Sequence, residues 1–248
     1  MAHVLFILTA ADSLPLKDGE LMPTGFWAQE FVPAHHLFLE HGHQISVATP
    51  RGKPAVLDVN CFAAEFHHHD SGRILNLREQ LEAIEAWRSP LSLERIALTG
   101  SRYEAIFFPG GHGPMVDLIN SEAAGTLVKR TLSQHGLIGA ICHGSAGLIP
   151  ARHQGRWLFA DYQLTCFSPA EEQLAELAQH LPELLADQLN VLGGQLSFAA
   201  PGMEHVVIDR QLYTGQNPAS VEKLAYLMAR QLKKMGSLNK NACAAPCD

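Results

Sequence analysis

Short, nearly continuous apolar runs alternate with stretches of helical pattern, and this alternation restricts the chain to a small set of folds. The runs lie at 4–8, 44–48, 105–108 and 137–141. Helix-patterned stretches at 24–41, 115–135 and 144–148 follow the first, third and fourth of them, whereas 44–48 leads into a long connection. The runs are β-branched or aromatic and bounded by Gly or Pro, as strands covered on both faces by helices require. Repeated βα units predict a mostly parallel sheet inside a three-layer α/β/α sandwich.

The rest of the composition is compatible with that core. The chain has 248 residues, 47% of them hydrophobic and only 17% charged, so it can bury a sizeable interior and is not disordered. Its net charge is −7, with no block of Lys or Arg, so no electrostatic footprint for nucleic acid or an anionic membrane is present. The first apolar run stops before Asp12 and lacks a basic leader, which predicts neither a signal peptide nor a membrane span and favours the cytoplasm. Five cysteines (Cys61, Cys142, Cys166, Cys243 and Cys247) stand at irregular spacing, so no disulfide framework is expected.

Farther along, 206–208 and 211–214 flank Asp209-Arg210 as a hairpin, although Asp-Arg is not a favoured two-residue turn. A last helix is expected over 218–234, with Val221, Leu224, Ala225, Met228 and Leu232 on one face. No linker divides the chain, which predicts a single domain over 1–236 followed by a frayed tail over 237–248. The stretch 51–104 is the least regular, with one helix expected over 74–87, and could form a lid or insertion.

The chemistry concentrates at Leu137-Ile-Gly-Ala-Ile-Cys-His-Gly-Ser-Ala-Gly, where an apolar strand ends at Cys142 and small residues begin a helix at once. Such a strand-to-helix elbow projects its side chain above the carboxyl edge of the sheet, where open α/β sheets form their crevices. The positive end of the following helix predicts a lowered thiol pKa for Cys142; the alternative is an inert core thiol. A second loop, Pro109-Gly-Gly-His-Gly, permits close backbone approach, and its N–H groups with that of His143 could form an oxyanion hole beside the sulfur. A phosphate cradle is the weaker reading, because the Lys and Ser/Thr of a P-loop are missing.

Together with Thr24-Gly-Phe-Trp-Ala-Gln-Glu30, Ala48-Thr-Pro-Arg-Gly with Asp58 after it, and Thr214-Gly-Gln-Asn-Pro-Ala-Ser, these two motifs resemble the DJ-1/PfpI superfamily over about residues 4–232. The similarity is greatest to its Hsp31-like branch (glyoxalase III, class I glutamine amidotransferase-like). The resemblance implies a flavodoxin-like domain in which Cys142 is the nucleophile, Glu30 the acid against the sulfur and His143 the general base. Gly111, His112 and His143 then surround the oxyanion and substrate. For the acid that orients His143, the stretch Cys166-Phe-Ser-Pro-Ala-Glu-Glu172 favours Glu172, with Glu171 as the alternative; either could instead be an exposed first-turn acid.

The activity implied is glutathione-independent conversion of methylglyoxal or a related 2-oxoaldehyde to a 2-hydroxy acid, without metal or other cofactor. Rival readings are a chaperone of unfolded clients, a protein deglycase, a redox sensor, and a cysteine-dependent amide or isonitrile hydrolase. The resemblance also implies a homodimer. Two other features stay outside this reading. Adjacent histidines such as His67-His-His-Asp70 rarely converge on one ion, and Cys243 and Cys247 have no nearby histidines with which to form a metal site.

Overall fold

The computed structural model describes residues 1–243. Its centre is a seven-stranded sheet made of β1 (His3–Ile7), β2 (Gln44–Thr49), β3 (Leu91–Ser92), β4 (Ala105–Phe108), β5 (Leu137–Ile141), β6 (Val206–Asp209) and β7 (Leu212–Gly215). The order across the sheet is β6-β7-β5-β4-β1-β2-β3, and only the β6–β7 hairpin pairs antiparallel. In that hairpin the Asp209-Arg210 corner is accommodated by a left-handed Arg210, φ 55°.

Alternate residues of each strand enter separate cores, which is why the sheet needs helices on both faces. Val4 and Phe6 of β1, Phe107 of β4 and Ile141 of β5 join α1 (Ala28–Glu40) and α7 (Val221–Cys243) on one face. Leu5, Ile7, Ile106, Phe108, Ile138 and Ala140 face α3 (Leu93–Thr99) and α5 (Glu122–Ser133) on the other. The α/β/α architecture read from the apolar runs is therefore present. The sheet reverses its order of addition beside β1, so the loops after β1, β4 and β5 open onto one crevice at their carboxyl ends.

Several boundaries differ from the sequence reading, each for a local reason. The helix expected over 115–135 is two helices, α4 (Pro114–Asp117) and α5. Asp117 ends the first by accepting bonds from the Thr9 hydroxyl at 2.8 Å and the Ala10 N–H at 2.7 Å, and the Ser121 side chain caps the second. The helix expected over 74–87 is α2 (Ser71–Glu82), started by Asp70, which accepts bonds from the N–H groups of Gly72 and Arg73. Within the stretch 51–104, β3 extends the sheet, and Leu77 and Leu81 of α2 belong to the same core as Phe26 and Phe31. The last helix runs through Gly236 to Cys243, where a frayed tail was expected from 237. Cys247 lies outside the described residues.

Among the described residues, no helix is long and apolar enough to cross a membrane. Phe6 anchors the first core through tilted or edge contacts with Phe31, Phe38 and Phe107, at centroid distances of 5.6, 5.8 and 5.1 Å. His35 lies in this aromatic cluster with its Nδ1 unpartnered, and burial lowers its pKa from 6.5 to about 4. The unfolded chain therefore takes up this proton first, and stability is lost as pH falls from 6.5 through about 4. Replacing His35 by Phe should remove that loss. Denaturation at pH 7.5 and 4.5 should show the stability difference moving toward the variant by about 2 kcal/mol at the lower pH; an unchanged difference would contradict the assignment.

Candidate active site

Cys142 follows the last residue of β5 and has φ 56°, a left-handed conformation that a residue with a Cβ adopts only under constraint. The preceding Ile141 is fully extended, so the chain bends sharply at the cysteine. The next turn, Cys142–Leu148, is a buried 3₁₀ helix rather than an α-helix. Gly144 makes the bend possible, because a Cβ there would lie 2.2 Å from the Phe108 carbonyl oxygen of the neighbouring strand.

The first turn of α1 and the loop after β4 converge on the sulfur. Glu30, in the first turn of α1, is completely buried. Its Oε2 accepts the Gly110 N–H at 2.7 Å, whereas Oε1 has no hydrogen-bond partner. Gly110 leaves just enough room between acid and thiol: a Cβ on it would stand 2.6 Å from Glu30 Oε2 and 2.7 Å from Cys142 Cβ. The N–H groups of Gly111 and His143 are directed at Cys142 and favour its ionised form. Gly111 itself has φ 86° and is pressed against the backbone of Gly25, so this position requires glycine.

His143 connects the sulfur to a carboxylate. Its Nδ1 is 3.4 Å from Cys142 Sγ, and its Nε2 is 2.5 Å from Glu172 Oε1. Of the two candidate acids, Glu172 is thus the one that meets the histidine. Glu171 is occupied elsewhere: it closes a capping box with Ser168 at the start of α6 (Pro169–Leu174) and accepts from Gln216 Nε2, Asn217 Nδ2 and the Gly202 N–H. These bonds hold Glu171 below its ordinary pKa despite burial. The serine in Cys166-Phe-Ser is the cap that sets the helix start. One residue later along that helix, Glu172 points into the site.

His112 lies beside this pair. Its ring stacks on that of His143 at a centroid distance of 3.9 Å, and Phe167 covers His143 at 5.0 Å. His112 Nε2 is 3.4 Å from each oxygen of Glu172. Among the described residues, His112, His143 and Glu172 are the one group whose donor atoms gather closely enough to consider a metal ion. The 2.5 Å His143–Glu172 contact is a direct hydrogen bond, so the ion would have no room between them. The histidine run elsewhere is structural: His67 Nε2 is bonded to the Cys61 carbonyl at 2.7 Å, and His68 and His69 turn the chain with positive φ.

The electrostatics correct one expectation. Burial, and then the Glu30 carboxylate, push the Cys142 thiol well above its ordinary pKa instead of below it. The short 3₁₀ turn and two N–H groups do not offset the loss of water. Burial likewise raises Glu30 from 4.5 to about 8. Burial and His112 lower the pKa of His143, and the two imidazoles hold Glu172 far below the carboxylate range. At neutral pH the free site is therefore a thiol, a protonated acid, a neutral imidazole and a carboxylate. It can supply a proton from Glu30 and accept one at His143, and it can generate a thiolate only by internal transfer. Because Glu30 is protonated in the fold well above pH 4.5, its stabilising share is intact below 4.5 and is lost as pH rises through about 8. Glu30→Gln should abolish that dependence, gaining on the order of several kcal/mol relative to wild type between pH 5 and 8.5 in chemical denaturation. Parallel curves would contradict the buried acid.

The geometry of His112 and the anchoring of Glu171 were not readable from the motifs alone. The Gly-Gly-His-Gly loop placed His112 near the site, but only the packed loops show that it shares Glu172 with His143. The buried amides of Gln216 and Asn217, in a motif already noted, were the available signal for a second buried carboxylate.

Comparison with known proteins places this geometry. The family model described as "ThiJ/PfpI family-like" matches residues 21–235. The glutamine amidotransferase-like class 1 domain-containing protein 1 of Bos taurus is 33% identical over 229 residues, covering 88% of this chain and 97% of that protein. The protein/nucleic acid deglycase HchA of Escherichia coli O7:K1 is 25% identical over 240 residues, covering 93% and 81% respectively. The crystal structure of glyoxalase III from Candida albicans superposes with a TM-score of 0.74 at 20% identity, covering 92% of this chain and 96% of that one, which shows the shared fold. The chain belongs to the ThiJ/PfpI family, in the Hsp31-like branch of the DJ-1/PfpI superfamily.

Proposed function

We propose that the protein is a cofactor-free, cysteine-dependent enzyme that converts methylglyoxal or a related small 2-oxoaldehyde to the 2-hydroxy acid. The observation that carries this reading is Glu30, a completely buried acid beside the sulfur, protonated at neutral pH and with one oxygen unpartnered. A nucleophile that only needed activation would gain nothing from a neutral acid there. An isomerisation that must both remove and return a proton would use it.

In this reading Cys142 passes its proton to His143 Nδ1 as the sulfur bonds to the aldehyde carbon. The carbonyl oxygen, held by the Gly111 and His143 N–H groups, takes up that proton to give a hemithioacetal. The former aldehyde C–H is removed as a proton and the adjacent carbonyl carbon gains one, while the hemithioacetal hydroxyl gives up its proton and the adjacent carbonyl oxygen takes one up, with His143 and Glu30 exchanging them. The product is a 2-hydroxy thioester. Water then breaks the C–S bond, so the net change is addition of one water to the oxoaldehyde. The charged group acting on Cys142 at neutral pH is the Glu172 carboxylate, which favours an uncharged carbonyl compound over a 2-oxo acid. Cys142 is 6% exposed, which favours a small substrate.

The similarity to HchA supports a second reading on the same chemistry, in which the carbonyl-derived adduct of a protein or nucleic acid is the substrate. An amide or isonitrile hydrolase would use the cysteine without needing Glu30 as an acid, and a chaperone or redox sensor would need no turnover.

The test is lactate formation from methylglyoxal without glutathione. Wild type should turn over, Cys142→Ala should be inactive, and Glu30→Gln and Glu172→Gln should each lose about 10²-fold or more in kcat. Undiminished activity in Cys142→Ala would remove the mechanism. Turnover of an amide but not of methylglyoxal would replace it with the hydrolase.

A further inference from the structure

Glu172 meets the histidines from a helix too short to hold itself in place. An isolated helix of six residues is not stable in water, so the position of α6 is set by what its first turn is tied to. Glu171 supplies that tie. Its buried carboxylate accepts five hydrogen bonds from three parts of the chain: the Ser168 N–H and hydroxyl at 3.1 and 2.7 Å, the Gly202 N–H at 3.0 Å, and the side-chain amides of Gln216 and Asn217 at 2.9 and 2.7 Å. The two amides are satisfied at their oxygens as well, since Gln216 Oε1 accepts the Ala199 N–H and Asn217 Oδ1 accepts the Ser220 hydroxyl. A buried network satisfied to this degree is rigid. Its far end is fixed beside the strand of the nucleophile. Gly215, the last residue of β7, pairs with Ile141 of β5, so Gln216 leaves β7 at the level where Cys142 leaves β5.

We propose that Glu171 is a positioning residue that fixes the contact between Glu172 and His143 by tying the start of α6 to the end of β7, the strand paired with the one that leads into Cys142. The connections close a ring. From Cys142 the path runs to His143 at 3.4 Å, to Glu172 at 2.5 Å, along the backbone to Glu171, through its carboxylate to Gln216 and Asn217, and across the sheet to Cys142. Closure matters because a proton leaves Cys142 Sγ for His143 Nδ1 only if the imidazolium that forms is compensated at Nε2. A charge-assisted hydrogen bond weakens steeply with distance and angle, so a small displacement of α6 removes that compensation. The two consecutive acids have partners of different kinds. Glu171 faces amides, N–H groups and a hydroxyl, none of which changes charge, and it stays an acceptor throughout. Glu172 faces the imidazoles. Glu171 therefore acts through Glu172 and not on the reacting atoms. This role rests on the reading of Cys142 as a nucleophile served by His143, but not on the identity of the substrate.

The experiment reads the His143–Glu172 bond as a downfield imidazole N–H proton resonance, identified by its absence in His143→Gln. It is paired with the rate at which iodoacetamide alkylates Cys142 at neutral pH, followed by peptide mass mapping. Three variants are compared with wild type. Glu171→Gln removes the carboxylate. The double variant Gln216→Ala/Asn217→Ala cuts the tie to β7 but leaves the Glu171 charge and its capping box with Ser168. Ser92→Ala removes the cap of α3, beside the edge strand β3. Glu171→Gln and the double variant should each lose or broaden the resonance and alkylate about tenfold more slowly than wild type. Ser92→Ala should lose thermal stability and keep both readouts. A wild-type resonance and rate in Glu171→Gln would overturn the proposal. Loss in Glu171→Gln with the double variant unchanged would overturn it too, by making the charge and not the tie the cause. Equal loss in Ser92→Ala would reduce the effect to general destabilisation and also overturn it. If Glu171→Gln or the double variant fails to fold, Asn217→Ala alone decides by the same two readouts. Neither readout needs turnover, so failure of lactate formation would overturn the proposed substrate and leave this result standing.

Discussion

The site depends on the removal of four ionisable groups from water at the end of one sharp bend. With Cys142 held at φ 56° after β5, its sulfur is placed among Glu30, His143 and the Gly110-Gly111 backbone, where burial is the largest influence on each side chain. In water the same groups would give an ionised carboxylate and an ordinary thiol. In this crevice the favoured arrangement is neutral on the sulfur side and charged only at Glu172, where two imidazoles compensate the carboxylate. Proton placement, rather than permanent thiolate formation, is what the fold controls.

Close backbone approach makes this possible. Gly110, Gly111 and Gly144 stand where any Cβ would meet an oxygen or another backbone, so the loops after β4 and β5 can pack against Gly25 and the start of α1. The parallel sheet brings those loops to the same edge, because β1, β4 and β5 are adjacent in it. Two consecutive acids on α6 then divide the work. Glu171 ties the helix start to Ser168 and to the Gln216-Asn217 corner, and Glu172 is left to face the histidines.

The parts of this arrangement visible in the sequence were those encoded locally. The four apolar runs announced their strands, since a strand buried on both faces must be apolar throughout. Cys142 was marked by a strand running straight into small residues, and Glu30 by its place in a motif. What depended on contacts across the chain was less accessible. The break between α4 and α5 arises from Asp117 bonding to residues after β1, more than a hundred positions earlier in sequence. The expected low thiol pKa failed because helix-end electrostatics can be read from a pattern, whereas the cost of complete burial and a carboxylate brought in from α1 cannot. The sharing of Glu172 by His112 was hidden for the same reason, since the three residues come from the loop after β4, the turn after β5 and α6.

The most direct measurement is mass mapping of the protein quenched by acid within milliseconds to seconds of mixing with methylglyoxal. The account predicts a transient mass increase equal to one methylglyoxal on the peptide carrying Cys142, accumulating when Glu30→Gln slows the later proton transfers. Adducts confined to lysine and arginine side chains, with Cys142 unmodified at every time point, would contradict it.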